Sequence, residues 1–113
     1  MEDIRLKTIP YTFNGKEYQL SCNFNVLADI QAEFGEIPDL LQPNIGLKAY
    51  TVILSAMLND YADTMGWKER YTPRQVGRTI DVKNLPVEDI TNVVRLVIDA
   101  LYDKKEDNTE SKN

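Results

Sequence analysis

A chain of 113 residues with 13 basic and 18 acidic side chains, a formal charge of −5, one cysteine and no histidine is bounded before any motif is sought. It is long enough for one domain that buries roughly two-thirds of its unfolded surface without disulfides or metals, and 42% hydrophobic against 27% charged residues is ordinary globular composition. The missing histidine excludes serine–histidine triads, imidazole-ligated zinc and imidazole pH switching, and the lone cysteine excludes an intramolecular disulfide framework.

The first predicted element is a β-hairpin over residues 4–22. Ile4, Leu6 and Thr8 alternate with Arg5 and Lys7, Tyr11 and Phe13 repeat two apart, and Asn14-Gly15 supplies the two positive-φ residues of a tight type I′ turn. Tyr18, Leu20 and Cys22 alternate on the return strand. One face is therefore expected to be apolar, with Lys16, Glu17 and Gln19 on the other. Pro10 has no N–H to donate, so it is expected to end a short strand or to mark an edge or bulge. Two strands alone are marginal, and the apolar face needs a partner layer.

Helical spacing follows. Asn23 is an N-cap candidate for a helix over residues 24–34, with Phe24, Leu27, Ile30 and Phe34 as its stripe, Asp29 and Glu33 solvated, and Gly35 as the stop. Residues 36–46 contain two prolines and read as a connection, with one turn around Pro38-Asp39-Leu40-Leu41. The clearest helix spans 47–65. Leu47, Tyr50, Ile53, Leu54, Met57, Leu58 and Tyr61 form a broad stripe, widened by Val52, Ala56 and Ala62, and Gly66 ends it. A stripe that wide predicts a central helix contacted on more than one side.

Thr72-Pro73 reads as an N-cap followed by proline at the first helical position, opening a short helix over 73–80 with Val76 and Ile80 on its apolar edge. The last helix, 86–102, opens at Pro86 with Glu88 and Asp89 in its first turn, where the helix dipole favours anions. Its stripe is Ile90, Val94, Val97 and Leu101, flanked by Val93 and Ile98. Residues 103–113 contain no apolar side chain and cannot offset their own ordering entropy, so a disordered charged tail is expected. The fold class is thus α+β and mainly helical: a single domain over 1–102, with an antiparallel hairpin packed on three to four helices.

No pattern calls for catalysis, a cofactor or a metal. Cys22 has no histidine to activate it and lies on the apolar side of a strand, so it reads as a small core residue. Asp60 and Asp63, one helical turn apart, lack the further oxygen ligands of a hard-cation site and read as a solvated face. The five glycines are scattered, with no phosphate-loop or dinucleotide spacing. The acidic start Met1-Glu2-Asp3-Ile4-Arg5 has no signal-peptide pattern, and no apolar run approaches the roughly 20 residues that span a bilayer. A soluble cytoplasmic protein without membrane contact is the expectation.

Charge is unevenly distributed. Residues 67–83 hold Lys68, Arg70, Arg74, Arg78 and Lys83 against Glu69 and Asp81, a net +3 set in a background of −8. Residues 72–101 loosely follow a helix-turn-helix plan, which leaves a small DNA-binding phage or plasmid regulator as the alternative function. Against it, Glu88 and Asp89 would open the recognition helix facing phosphates, and the acidic balance argues against nucleic acid as a partner in general. Tyr61, Trp67 and Tyr71 cluster at the exit of the central helix beside Arg70 and Arg74. Aromatics beside arginines mark many protein interfaces, while a tryptophan after a helix stop also serves as a cap on the core. These five residues are the partner-binding candidates, and Trp67→Ala is expected to weaken oligomer or partner binding with little change in melting temperature.

The hairpin Tyr11-Thr-Phe-Asn-Gly-Lys-Glu-Tyr-Gln-Leu20 and the helix Asn23-Phe-Asn-Val-Leu-Ala-Asp-Ile-Gln-Ala-Glu-Phe-Gly35 open a layout that resembles the small tail assembly chaperones of long-tailed bacteriophages and prophages. A long helix, a short Thr-Pro-started helix, a final amphipathic helix and a charged tail complete the likeness, which spans about residues 4–102 and is one of layout rather than of invariant motifs. It implies a non-enzymatic role: holding the tape measure protein, whose long helical chain is aggregation-prone, and handing it to tail tube subunits, with self-association as a further possibility. It also implies a longer frameshifted form. Lys104-Lys105 is a dipeptide that an A-rich slippery site encodes, and the nucleotides around those codons test the point. A structural virion domain without chaperone activity is a third, plainer reading.

Overall fold

Asn14 and Gly15 have φ of 53° and 82°, the pair of positive values that turns one strand back on the other without splaying them. This turn joins β1 (Ile9–Phe13) to β2 (Lys16–Leu20) in an antiparallel pair with Tyr11 opposite Tyr18 and Pro10 opposite Gln19. The computed structural model describes residues 7–35 and 47–103. The expected strand positions Ile4 and Leu6, the turn around Pro38–Leu41, the tail from residue 104 and the Lys104-Lys105 dipeptide lie outside the described residues.

Of the three expectations for Pro10 the edge holds, since each strand of a two-stranded sheet is an edge; it neither ends β1 nor bulges it. Counting from the pair that closes the two-residue turn, Phe13 and Lys16, the alternation of the ladder puts Pro10 at a non-hydrogen-bonded position, where its missing N–H costs nothing. The period of two also corrects the expected face of Lys16. It shares parity with Tyr18 and Leu20, so its stem lies on the core side, while Thr12, Glu17 and Gln19 face water.

α1 (Phe24–Phe34) begins and ends where the caps demand. Asn23 accepts from the Val26 N–H at 3.0 Å, and Gly35, at φ 83°, returns its N–H to the Gln31 carbonyl at 2.7 Å. Its buried side chains are Val26 and Ile30, with Leu27 and Phe34 half-buried against the core. Phe24 is 81% exposed, so the stripe is rotated from the expected one and starts one turn later. The cap residue also reaches across to the next helix, donating from Nδ2 to the Asp60 carboxylate at 2.7 Å.

α2 (Leu47–Met65) is the axis of the fold. Nine of its apolar side chains from Ala49 to Ala62 are buried, because β2, α1, α3 and α4 all pack against it. Each full burial of a large apolar side chain among them is worth about 1.5–3 kcal/mol in transfer terms. The one buried polar residue of α2, Ser55, donates to the Val52 carbonyl at 3.1 Å, so it adds no orphan donor. Only Leu47, in the first turn, departs from the expected stripe, at 62% exposure.

α3 (Pro73–Arg78) is shorter than expected, ending two residues before Ile80. Thr72 and Gln75 form a reciprocal capping box around Pro73 at the first helical position, and Val76 is its one buried side chain. α4 (Val87–Ile98) starts one residue later than expected. Pro86 is the cap rather than the first helical residue, and Glu88 and Asp89 occupy the first turn. Val93, Val94, Leu96 and Val97 are buried, with α2 packed against the helix and Leu96 beside Ile9 and Tyr11 of β1, and the winding continues as a π-helical turn, Asp99–Asp103. The result is an α+β, mainly helical domain with one antiparallel hairpin. No described helix is long and apolar enough to cross a membrane.

Candidate functional site

The exit of α2 is built by a helix stop and an aromatic knot. Gly66, at φ 76°, ends the helix; its N–H bonds the Asp63 carbonyl at 3.2 Å, and the Trp67 N–H bonds the Ala62 carbonyl at 2.9 Å. This pair of bonds is the Schellman arrangement, in which the residue after the glycine folds back on the last apolar turn. Trp67 does so. Its ring meets Tyr61 at 5.7 Å and Tyr18 at 5.4 Å between centroids, both edge-on, and the Lys16 ammonium sits 4.4 Å above it. Lys16 also pairs with Glu69 at 3.1 Å, and backbone and lysine hydrogen bonds hold that carboxyl below its usual range.

Tyr71 closes the knot from the other side. Its ring packs edge-on to Phe13 at 5.0 Å, and its hydroxyl accepts from the Asn14 side chain at 3.3 Å. Asn59 grips its backbone from both directions. The Asn59 Nδ2 donates to the Tyr71 carbonyl and the Tyr71 N–H donates to Asn59 Oδ1, each at 2.9 Å. Burial, with Tyr71 beside it, pushes the Tyr18 phenol up to about 12.

Of the five partner-binding candidates, Tyr61, Trp67 and Tyr71 are therefore brought together, but with half-buried rings packed on the core. Arg70 is folded back onto its own loop, donating to the Trp67 and Glu69 carbonyls at 2.8 and 2.7 Å and to the Asp63 carboxylate. Arg74 lies elsewhere. It lines an open concavity of about 370 Å³ over α2 and α3, with Lys48, Thr51, Pro73, Gly77 and Arg78.

The other end of α2 is organised differently. A second, apolar concavity of about 120 Å³ is lined by Leu47, Tyr50, Thr51, Gly77, Ile80, Val82, Leu85 and Ile90. The connection 79–86 forms its outer wall, shaped by Asp81, whose side chain accepts from the Lys83 N–H at 2.9 Å and whose carbonyl accepts from the Asn84 N–H at 3.1 Å. That turn holds Val82 at 80% exposure. Leu47, Val82 and Leu85, three of the six exposed large apolar side chains among the described residues, meet on this slot. Periodicity gives no hint of it, because Val82 and Leu85 sit in the connection between two helices; the sequence signal is only Val82 and Leu85 flanking the polar pair Lys83-Asn84.

The eight residues 79–86 between α3 and α4 are twice the length of the three- to four-residue turn that sets a helix-turn-helix angle. Cys22 is buried, and burial pushes its thiol up to about 11, so it is protonated at neutral pH. Asp29, Asp60 and Asp63 lie near enough to one another to raise the Asp29 carboxyl, after the larger effect of its partial burial. No group of three or more cysteine, aspartate or glutamate side chains among the described residues is placed to hold a metal ion. Compared with protein-family models, with curated proteins and with solved structures, the chain shows no match.

Proposed function

We propose that this chain is a non-enzymatic tail assembly chaperone of a long-tailed bacteriophage, which binds the tape measure protein in the host cytoplasm and helps to recruit tail tube subunits. The observation that carries the reading is the convergence of exposed Leu47, Val82 and Leu85 on one slot beside the central helix. A folded domain that keeps aliphatic side chains in water at one place is suited to cover apolar surface on another protein. The element order behind the resemblance, from the Asn-Gly hairpin through the Asn23-capped helix to the amphipathic α4, supports the choice of partner.

Co-expression with the product of the very long reading frame expected beside its gene tests the proposal. A chaperone raises the soluble fraction of that product and copurifies with it. No effect on its solubility and no copurification overturn the reading. Tight, salt-sensitive binding to duplex DNA that is lost on changing Arg74 and Arg78 to glutamate overturns it in favour of a regulator.

A further inference from the structure

The apolar slot and the basic concavity are neighbours, because Thr51 and Gly77 line both. One side of this shared floor offers Leu47, Val82 and Leu85 around an apolar space of about 120 Å³. The other offers Lys48, Arg74 and Arg78, none of which forms an ion pair with another described residue. The two properties are a fingerprint of what fits. We infer that slot and concavity form one docking surface for an amphipathic helix of a partner protein, with an apolar side chain seated in the slot and an acidic flank laid along Lys48, Arg74 and Arg78.

Charge complementarity selects this occupant. The chain as a whole is acidic, whereas the segment 67–83 that supplies two of the three cations carries a net +3. An acidic flank is attracted to Lys48, Arg74 and Arg78 against the net-negative balance of the chain, which favours this location and sets the orientation of the helix on it. Helical spacing supplies the rest, since anchors at i and i+3 or i+4 put an apolar and an acidic row on adjoining sides of one helix. Gly77 keeps the floor between the two halves low: a Cβ built there would lie 3.7 Å from Thr51 Cγ2, ordinary contact, and nothing else would come near. The inference deepens the chaperone reading by naming the chemistry of the partner segment, and it rests on that reading's claim that the slot binds a protein.

Two synthetic helical peptides with the same leucine row, one with a glutamate flank and one with a lysine flank, test it by fluorescence anisotropy on the full chain. The glutamate peptide is expected to bind at least about tenfold more tightly at low ionic strength, the preference shrinking as salt screens it. Val82→Glu abolishes binding of the glutamate peptide, and Arg74→Glu with Arg78→Glu removes the preference between peptides. Gly77→Gln, which raises the floor without touching the core, weakens binding with the melting temperature unchanged or higher. Equal affinity for both peptides, no binding, or binding indifferent to these variants overturns the inference. So does self-association that Val82→Glu abolishes, since a second copy would then own the slot. If the glutamate peptide binds as described while the tape measure product does not, the surface stands and the chaperone assignment falls. If the tape measure product binds but Val82→Glu and the arginine changes leave that binding intact, the reverse holds.

Discussion

The two ends of α2 are finished in opposite ways. At its C-terminal end the aromatic and arginine side chains are committed within the chain, Trp67 to Tyr18, Tyr61 and Lys16, Tyr71 to Phe13 and Asn14, Arg70 to two carbonyls and Asp63, and Met65 alone of the large apolar side chains there stands half in water. At its N-terminal end Leu47, Val82 and Leu85 stand in water beside Lys48, Arg74 and Arg78. Composition alone would rank the ends the other way, since aromatics with arginines are what interfaces are rich in. The same residue types also make a good closure for a helix, a hairpin and a loop that must be joined without disulfides. What separates the uses is whether the hydrogen-bonding and stacking capacity is already spent.

The sharpest way to break the contrast is Trp67→Ala. If the C-terminal end is a closure, the loss of an edge-stacked indole from the junction of β2 and α2 costs about 2–4 kcal/mol, at the lower side of the range for fully buried aromatics because Trp67 is half-buried. Denaturant titration would show this as a lowered midpoint with an unchanged slope, and affinity for the glutamate-flanked peptide should be intact in the folded variant. The expectation read from sequence, weaker binding at unchanged melting temperature, is thereby reversed. An unchanged midpoint would return the aromatic group to the list of interfaces.

Asn59→Ala is expected to cost about 1–3 kcal/mol in the same titration, because it strands the Tyr71 N–H and carbonyl together in a half-buried place. Asn59→Asp keeps the acceptor and loses the donor, so its cost should fall between the variant and the parent. Equal stability of all three would mean that water satisfies Tyr71 as well as Asn59 does. At the open end the sign should invert. Gly77→Ala removes backbone freedom from the unfolded chain at a helical position whose new methyl makes only ordinary contact, and it should stabilise by roughly 0.5–1 kcal/mol. A destabilisation there would show that the floor of the slot is packed more tightly than Thr51 alone implies.

Local chemistry explains why most of the fold was legible in advance and most of the surface was not. Asn14-Gly15, Asn23, Gly35, Gly66 and Thr72-Pro73 each dictate a backbone conformation with neighbours only a few residues away, and all five turned or capped the chain where expected. The errors of detail are long-range. Phe24 has helical spacing with Leu27 and Ile30, but Asn23 is drawn towards Asp60 of α2, and that docking turns Val26 inward and leaves Phe24 in water. Charge assigns Lys16 to the solvent face and parity to the core face, and the indole that receives its ammonium lies 51 positions along the chain. The slot depends on where a turn between α3 and α4 comes to rest against the first turns of α2, and no periodicity encodes that.

The smallest expected effect lies at the closed end, in the carboxylates that border it. Asp29 has its carboxyl raised, first by partial burial and then by the Asp60 and Asp63 carboxylates. A group whose folded-state pKa exceeds its unfolded value of 3.8 binds more protons folded than unfolded within that window, so stability falls as pH rises through it. At neutral pH the ionised side chain is therefore a net cost, and Asp29→Asn removes it. The gain should be no more than about 0.5 kcal/mol, because the side chain is largely exposed and its repulsion is screened by solvent. It should shrink with added salt and vanish when parent and variant are both titrated well below the carboxylate range, where both side chains are neutral. A gain that persisted in acid would have to come from packing or helix propensity, and the acidic border would then have no electrostatic part in the difference between the two ends.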